Sequence, residues 1–164
     1  MRKKYFQSIF GCFAAGLVLL LVSFNPSSKY EKAEKESIQN YLSSNAADTF
    51  DLKPSGLYYH NILTGTGRTP VIHDTAFVQY TGKYLDGSIF DTNVGAADLS
   101  FPVDEGYLIA GFDEGILYMK EGGKARFLIP SSLAYGSAGY YSIPGYTPLL
   151  YEVTLVRVAP GPSK

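Results

Sequence analysis

Tyr80 and Asp91 are the residues whose types and spacing suggest a site. If the chain between them folds into a hairpin, Asp91 stands opposite Gly82 and diagonally within reach of Tyr80, because opposed residues share a face. A phenol and a carboxylate are then brought together, and Gly82 leaves room above them. Taken alone, these residues favour the simpler interpretation, a hairpin whose aspartate helps to terminate a strand.

The hairpin is predicted from Asp86-Gly87, a dipeptide typical of two-residue turns because both positions tolerate positive φ. Before the turn, residues 76–81 alternate with the period of a half-buried strand, and a short partner strand follows the turn. Closing the chain at this point places Lys83 opposite Phe90.

The 164-residue chain has the composition of one globular domain with a tail. Apolar residues make up 46% and charged residues 18%, which lies outside the disordered class. The net charge of −1 provides no basic surface, so we expect no nucleic-acid binding. The single cysteine, Cys12, excludes a disulfide within the chain. No metal site is expected, because His60 and His73 have no further ligands at suitable spacing.

Residues 1–28 are predicted to be a signal peptide or a signal anchor. Arg2, Lys3 and Lys4 precede an almost uninterrupted apolar run, Ile9–Phe24, which is the pattern of an export signal. The run is shorter than the roughly 20 residues of a relaxed transmembrane helix. No clear small-residue cleavage site follows it, so both alternatives stay open. In either case we expect export from the cytoplasm, to the periplasm or to a membrane-anchored position outside the inner face.

Residues 29–54 are predicted to form a short helix and a linker. The helical part, 29–45, is weakly amphipathic, and Ser28 with Glu31 fits a capping box at its start. Two interpretations remain for this helix. It is either a spacer that packs lightly on the domain or not at all, or a docking helix that forms a homodimer.

A folded domain is predicted over residues 55–160. Its alternating segments favour antiparallel strands, and residues 111–119 favour one short helix with apolar residues at i, i+4 and i+7. Residues 130–148 are expected to be a long, tyrosine-rich loop. Because one helix cannot cover both faces of a sheet, the fold class is α+β. We expect a curved antiparallel β-sheet of four to six strands wrapped around the short helix, preceded by the N-terminal apolar segment and the first helix.

Conventional catalytic motifs do not occur in the sequence, which has neither a Gly-x-Ser-x-Gly elbow nor a phosphate-binding loop. An ordered series of other motifs occurs instead. These are Val78–Asp91, Leu108–Gly115, Glu121–Pro130, Leu133–Gly136 with Ile143-Pro144, and Leu149–Leu155. In its order and spacing, the series resembles the FKBP-type peptidyl-prolyl cis-trans isomerases over roughly residues 55–158. The fold of that family agrees with the arrangement expected above.

The resemblance implies a shallow apolar cup that holds a proline ring. Asp91, close to Tyr80, matches a carboxylate that orients the cup. Tyr135 and the Ile109 backbone N–H match groups that donate hydrogen bonds to a bound carbonyl. These four residues are the expected catalytic set. The expected substrate-binding residues are Phe90, Leu108, Phe112, Ile143, Tyr151 and Tyr140.

Phe90 and Asp91 are neighbours, and neighbouring residues of an ideal strand point to opposite faces. If both contribute to the cup, the strand after the turn has to be bulged or has to end there, as is common beside sites.

The activity that the resemblance implies is cis-trans isomerisation of X-Pro bonds in exported proteins, with no cofactor. The alternative is a catalytically weak FKBP-like chaperone or protein-binding module. Uncatalysed rotation about an X-Pro bond faces a barrier of roughly 18–20 kcal/mol, and its catalysis requires no nucleophile. The expected partners are proline-containing polypeptides and, if the N-terminal segment is uncleaved, the membrane.

Overall fold

The computed structural model describes residues 26–161. The apolar run and its interpretation as a signal peptide or anchor lie outside these residues. Within the described part, no helix is both long enough and apolar enough to span a bilayer.

Residues 26–161 form one antiparallel sheet and two α-helices. The strands are β1 Asp51–Leu52, β2 Tyr58–Leu63, β3 Thr75–Lys83, β4 Ile89–Thr92, β5 Leu99–Pro102, β6 Lys124–Ile129 and β7 Leu149–Ala159. The strand order is β1-β2-β6-β7-β3-β4, and β5 pairs with β3. The helices are α1 Pro26–Ser44 and α2 Ala110–Leu117, and a 3-10 turn spans Ser131–Leu133. The predicted fold class is confirmed. The sheet formed by the described residues has seven strands, one more than the expected maximum of six. The additional strand is β1, which has two residues and lies within the predicted linker.

Helix α2 packs closely against the inner face of the sheet because two glycines face β6. A Cβ atom on Gly115 would come within 2.6 Å of the Phe127 ring, and one on Gly111 would collide with Ile129. Phe127 and Ile129 are fully buried in the main core, together with Ile116 of the helix. The short distance between helix and sheet therefore depends on the absence of side chains at two helix positions.

The outer face of the sheet is covered in part by α1. Ile38 is 5% exposed and forms a second apolar cluster with Leu128 and Leu150. These two leucines alternate with inward-facing residues of β6 and β7, as the period of a strand requires. Helix α1 is therefore packed on its own domain through an apolar contact.

The structure differs from the sequence prediction at the start of α1. The helix begins at Pro26, three residues before the predicted start, so Ser28 lies within its first turn. The prediction of a capping box that begins at Ser28 is therefore wrong. Proline suits this position, because its fixed φ favours the helix and its missing N–H would have no partner within the helix.

Candidate active site

A pocket of about 480 Å³ opens between the inner face of the sheet, the start of α2 and the loop that follows β6. Its volume lies within the range typical of small-ligand sites. It is lined by Tyr80, Asp91, Leu99, Tyr107, Leu108, Ile109, Ala110, Phe112, Ala134, Tyr135, Tyr140 and Tyr151. Eight of the ten predicted site residues thus meet in one pocket, including all four of the expected catalytic set.

The hairpin that carries Asp91 has a three-residue loop, so the predicted two-residue turn is wrong. Tyr84 N–H donates to Ser88 O at 2.9 Å, and Gly87 N–H donates to Tyr84 O at 3.0 Å. Gly87 adopts φ of 90°, as the last position of such a loop requires. The Asp86 carboxylate accepts hydrogen bonds from the Ser88 N–H and hydroxyl at 2.8 and 2.6 Å, which stabilises this turn.

A β-bulge follows in β4. Gly82 pairs with Asp91 as predicted, but Lys83 pairs with Ile89, so the predicted pairing of Lys83 with Phe90 is wrong. Phe90 is the extra residue that has no opposite partner. A bulge at this position was one of the two arrangements predicted for the case that Phe90 and Asp91 both contribute to the cup.

Tyr80 and Asp91 form the expected pair. The Tyr80 hydroxyl donates a hydrogen bond to Asp91 Oδ2 at 2.6 Å. Burial of the phenol, together with this hydrogen bond and the charge of the carboxylate, raises the pKa of Tyr80 well above its usual value. The phenol therefore keeps its proton and acts as a fixed donor that orients the carboxylate.

The floor of the pocket is aromatic. Phe112, on α2, is almost fully buried, and its ring lies edge-on to Tyr151 at 5.1 Å and to Tyr80 at 6.0 Å between centroids. Burial raises the pKa of the Tyr151 phenol, and the nearby Tyr135 and Tyr80 hydroxyls raise it further. The floor is therefore formed by aromatic rings, and the tyrosine hydroxyl groups beside it remain neutral.

Ile109 immediately precedes α2 and has an extended conformation, with φ of −64° and ψ of 143°. Its carbonyl accepts the N–H groups of Phe112 and Asp113 at 2.9 and 3.2 Å. Its own N–H, at the pocket lining, has no acceptor within residues 26–161. That group is a donor available to a bound molecule.

The loop before Ile109 lies against a buried carboxylate that no sequence pattern indicated. Asp113 is 3% exposed. Burial raises the pKa of Asp113, and the nearby backbone N–H groups of Asp104 and Gly106 oppose the shift. Its Oδ1 atom has no partner within the described residues. Tyr107, the residue after Gly106, lines the pocket and is 70% exposed.

A second residue outside the predicted set fixes the chain after Asp91. The Asn93 side chain accepts the Tyr80 N–H at 2.7 Å and donates to Val78 O at 3.0 Å and to Ala97 O at 3.1 Å. It therefore ties the loop after β4 to the strand that carries Tyr80. An asparagine directly after a strand is a recognisable signal, because its amide can replace backbone hydrogen bonds.

Tyrosines form the rim on the side of residues 130–148. The rings of Tyr135 and Tyr140 stack with their centroids 4.9 Å apart, and Tyr141 meets Tyr140 edge-on at 4.5 Å. Burial raises the pKa of Tyr135, and the nearby Tyr140 and Asp91 add to the shift. The Tyr135 hydroxyl is thus a second neutral donor at the pocket.

Phe90 and Ile143 are the two predicted binding residues that do not line the pocket. Phe90 packs behind the wall, edge-on to Tyr151 at 5.7 Å. Ile143 is buried in the main core and exchanges backbone hydrogen bonds of 2.8 Å with Tyr140. Both residues therefore support lining residues.

The two histidines do not reach the pocket. His60 Nδ1 lies 2.8 Å from Thr49 O, and His73 Nδ1 lies 2.8 Å from a carboxylate oxygen of Glu105. Within residues 26–161, no group of three or more histidine, cysteine or acidic side chains is arranged to hold a metal ion.

A family model described as "FKBP-type peptidyl-prolyl cis-trans isomerase" matches residues 66–156. The chain therefore belongs to the FKBP family. It is 36% identical over 135 residues to an FkpA from Aeromonas hydrophila, covering 77% of this chain and 50% of that protein. It is 34% identical over 173 residues to a macrophage infectivity potentiator from Trypanosoma cruzi, covering 98% of this chain and 87% of that protein.

Among solved structures, the FkpA crystal structure from Escherichia coli matches this FKBP chain with a TM-score of 0.70 at 34% identity. The match covers 83% of this chain and 65% of the other. The chain spans about half the length of the FkpA relatives from Aeromonas hydrophila and Neisseria meningitidis. The family and the fold expected from the sequence are confirmed.

Proposed function

We propose that this protein is a peptidyl-prolyl cis-trans isomerase whose active site is the pocket described above. The observation that carries the proposal is the composition of the pocket in a chain of this family. Aromatic and aliphatic side chains form its walls, while the few polar groups are the Tyr80–Asp91 pair, tyrosine hydroxyls and the Ile109 N–H.

The reaction is a rotation, so no bond is formed or broken. A planar X-Pro amide is stabilised by resonance, which separates charge between the oxygen and the nitrogen. This polar amide is better solvated in water than in an apolar pocket. The twisted transition state loses that charge separation. A dry aromatic cup therefore disfavours the planar ground state relative to the twisted state.

Two donors are positioned to hold a twisted chain. We assign the Tyr135 hydroxyl and the Ile109 N–H to carbonyl groups of the bound peptide. Asp91 is assigned the role of orienting the wall through its hydrogen bond with Tyr80. An acceleration of ten-thousand-fold requires about 5.5 kcal/mol, which desolvation and two such hydrogen bonds can supply.

The substrates are proposed to be X-Pro bonds of proteins outside the cytoplasm. The support for this location is the sequence of residues 1–28, with three basic residues before an apolar run. Whether the segment is cleaved decides between a periplasmic and a membrane-anchored protein, and the mass of the mature protein distinguishes the two.

The isomerase proposal is tested by measuring cis-trans exchange of a short X-Pro peptide with the full chain in mild detergent. We expect exchange well above the spontaneous rate, which corresponds to tens to hundreds of seconds. An exchange rate equal to that of the peptide alone would overturn the proposal.

A second function is favoured by the exposed aromatic rim. Tyr141 is 93% exposed beside Tyr140 and could contact unfolded chains whether or not they contain proline. A chaperone or binding module of this kind would suppress aggregation of a proline-free unfolded protein. An isomerase without chaperone function would leave that aggregation unchanged.

A further inference from the structure

Helix α1 contacts the tyrosine-bearing side of the pocket at two places. We define residues 130–148 as the lip loop, since it carries Tyr135 and Tyr140 into the pocket. Glu34 contacts the beginning of this loop, and Tyr30 contacts its later part. The two helix residues are four apart, so they lie on one face of α1.

The first contact is a pair of hydrogen bonds to one carboxylate. Glu34 Oε1 accepts the Ser131 N–H at 2.5 Å, and Glu34 Oε2 accepts the Ser131 hydroxyl at 2.7 Å. Ser131 is buried, and its own carbonyl accepts the N–H groups of Ala134 and Gly136 at 2.9 and 2.8 Å. These two residues flank Tyr135. The Glu34 carboxylate thus fixes the turn from which Tyr135 projects.

The second contact is aromatic. The rings of Tyr30 and Tyr146 stack with centroids 5.5 Å apart and an interplanar angle of 14°. Tyr146 N–H donates to Gly136 O at 2.8 Å. Ser131 and Tyr146, the two residues that α1 contacts, are thus each hydrogen-bonded to Gly136, the residue that follows Tyr135.

The lip loop has a backbone that requires such support. Gly136, Gly139, Tyr141 and Tyr146 all have positive φ, between 46° and 72°. Two of these four are tyrosines, for which this region is unfavourable. Strained conformations of this kind persist only where the surrounding structure enforces them.

We propose that Glu34 is a positioning residue of the isomerase site, acting through Ser131 on Tyr135 and Tyr140. Helix α1 is then part of the machinery that shapes the pocket, although none of its residues lines it. The effect on turnover rests on the proposed function, whereas the ordering of the lip loop does not.

The ordering is tested by hydrogen–deuterium exchange of the full chain, comparing wild type with Glu34→Ala. The amides of Gly136, Gly139 and Tyr146, hydrogen-bonded within the lip loop, should exchange about ten-fold faster in the variant, while those of β3 keep their rate. Glu34→Gln retains a carbonyl acceptor and should restore most of the protection. Unchanged exchange in the lip loop, or an equal acceleration in β3, would overturn the proposal.

Glu31→Gln is the matched control, because Glu31 is an exposed acidic residue of the same helix. It should leave both exchange and turnover at wild-type values. Glu34→Ala should lower kcat/KM for an X-Pro peptide about ten-fold, with partial recovery in Glu34→Gln. If wild type shows no isomerase activity, the proposed function fails and with it the effect of Glu34 on turnover, while the exchange result still decides whether Glu34 orders the lip loop. If the lip loop loosens but kcat/KM is unchanged, the positioning role is wrong.

Discussion

The ring of Phe90 lies directly over the backbone of Gly82. A Cβ atom at Gly82 would approach Phe90 Cζ to 2.6 Å and Tyr151 Cε1 to 3.1 Å. Gly82 also pairs with Asp91 across the strands. The glycine therefore allows a bulged strand to place an aromatic ring behind one wall and a carboxylate at the pocket.

Gly82→Ala is expected to impair both stability and turnover. The methyl group would displace the Phe90 ring, and overpacking of this kind typically costs about 1–3 kcal/mol. Because the displaced ring packs on Tyr151, kcat/KM should fall roughly ten-fold or more as the wall shifts. Chemical denaturation and X-Pro exchange measure the two effects.

Gly87→Ala provides the contrast. Gly87 has φ of 90°, and nothing lies within 4 Å of a Cβ atom placed there. This variant should lose about 1–2 kcal/mol through backbone strain and retain wild-type kcat/KM, since the turn does not line the pocket. Equal losses of turnover in the two variants would refute a specific role for Gly82.

Tyr135→Phe should weaken turnover less than Asp91→Leu. The first change removes one hydroxyl donor, typically worth about 0.5–1.5 kcal/mol. The second removes the acceptor of the Tyr80 phenol and so disturbs a wall that several groups share. The kcat/KM of both variants, each shown to be folded by circular dichroism, checks the ranking. An equal or reversed order would argue against the orienting role of Asp91.

Turnover should be nearly independent of pH between about 6 and 9. The pocket lining contains no histidine or cysteine, the side chains that ordinarily titrate in this interval. The pKa values of Tyr80, Tyr135 and Tyr151 are all raised, so each phenol remains protonated and remains a donor throughout. A profile of kcat/KM that varies by more than about two-fold, or that is bell-shaped, would contradict this expectation.

Ile38→Ala should destabilise the domain, because α1 is packed on the sheet. Ile38 is buried against Leu128 and Leu150, and removal of such a side chain typically costs about 2–5 kcal/mol. Leu52→Ala is the control, since Leu52 is 61% exposed and should change stability by less than about 0.5 kcal/mol. If the two variants have the same free energy of unfolding, α1 contributes no stability.

The sequence predicted the parts of the fold that follow from periodicity. Alternating segments predicted antiparallel strands, and the i, i+4, i+7 spacing of apolar residues over 111–119 predicted the short helix observed at Ala110–Leu117. The pairing of Gly82 with Asp91 was also predicted, although the turn was assigned one residue too few. The three-residue loop shifts the register of β4 by one residue, and the bulge at Phe90 shifts it back. Gly82 therefore still pairs with Asp91.

Features that depend on contacts distant in sequence could not be predicted. The Glu34–Ser131 contact joins residues 97 positions apart, and neither residue type signals such a partner. Asp113 was read only as part of a family motif, because its burial depends on how α2 meets the preceding loop. Phe90 and Ile143 were expected at the surface of the pocket but lie behind it.

The glycines at the interface between α2 and β6 have a consequence for how the pocket can change. Any side chain at Gly111 or Gly115 would push the helix away from the sheet. The same helix carries Phe112 and is preceded by Ile109, so the floor and one donor would move with it. The depth of the cup is thus governed by two residues beneath it, which no bound molecule needs to touch.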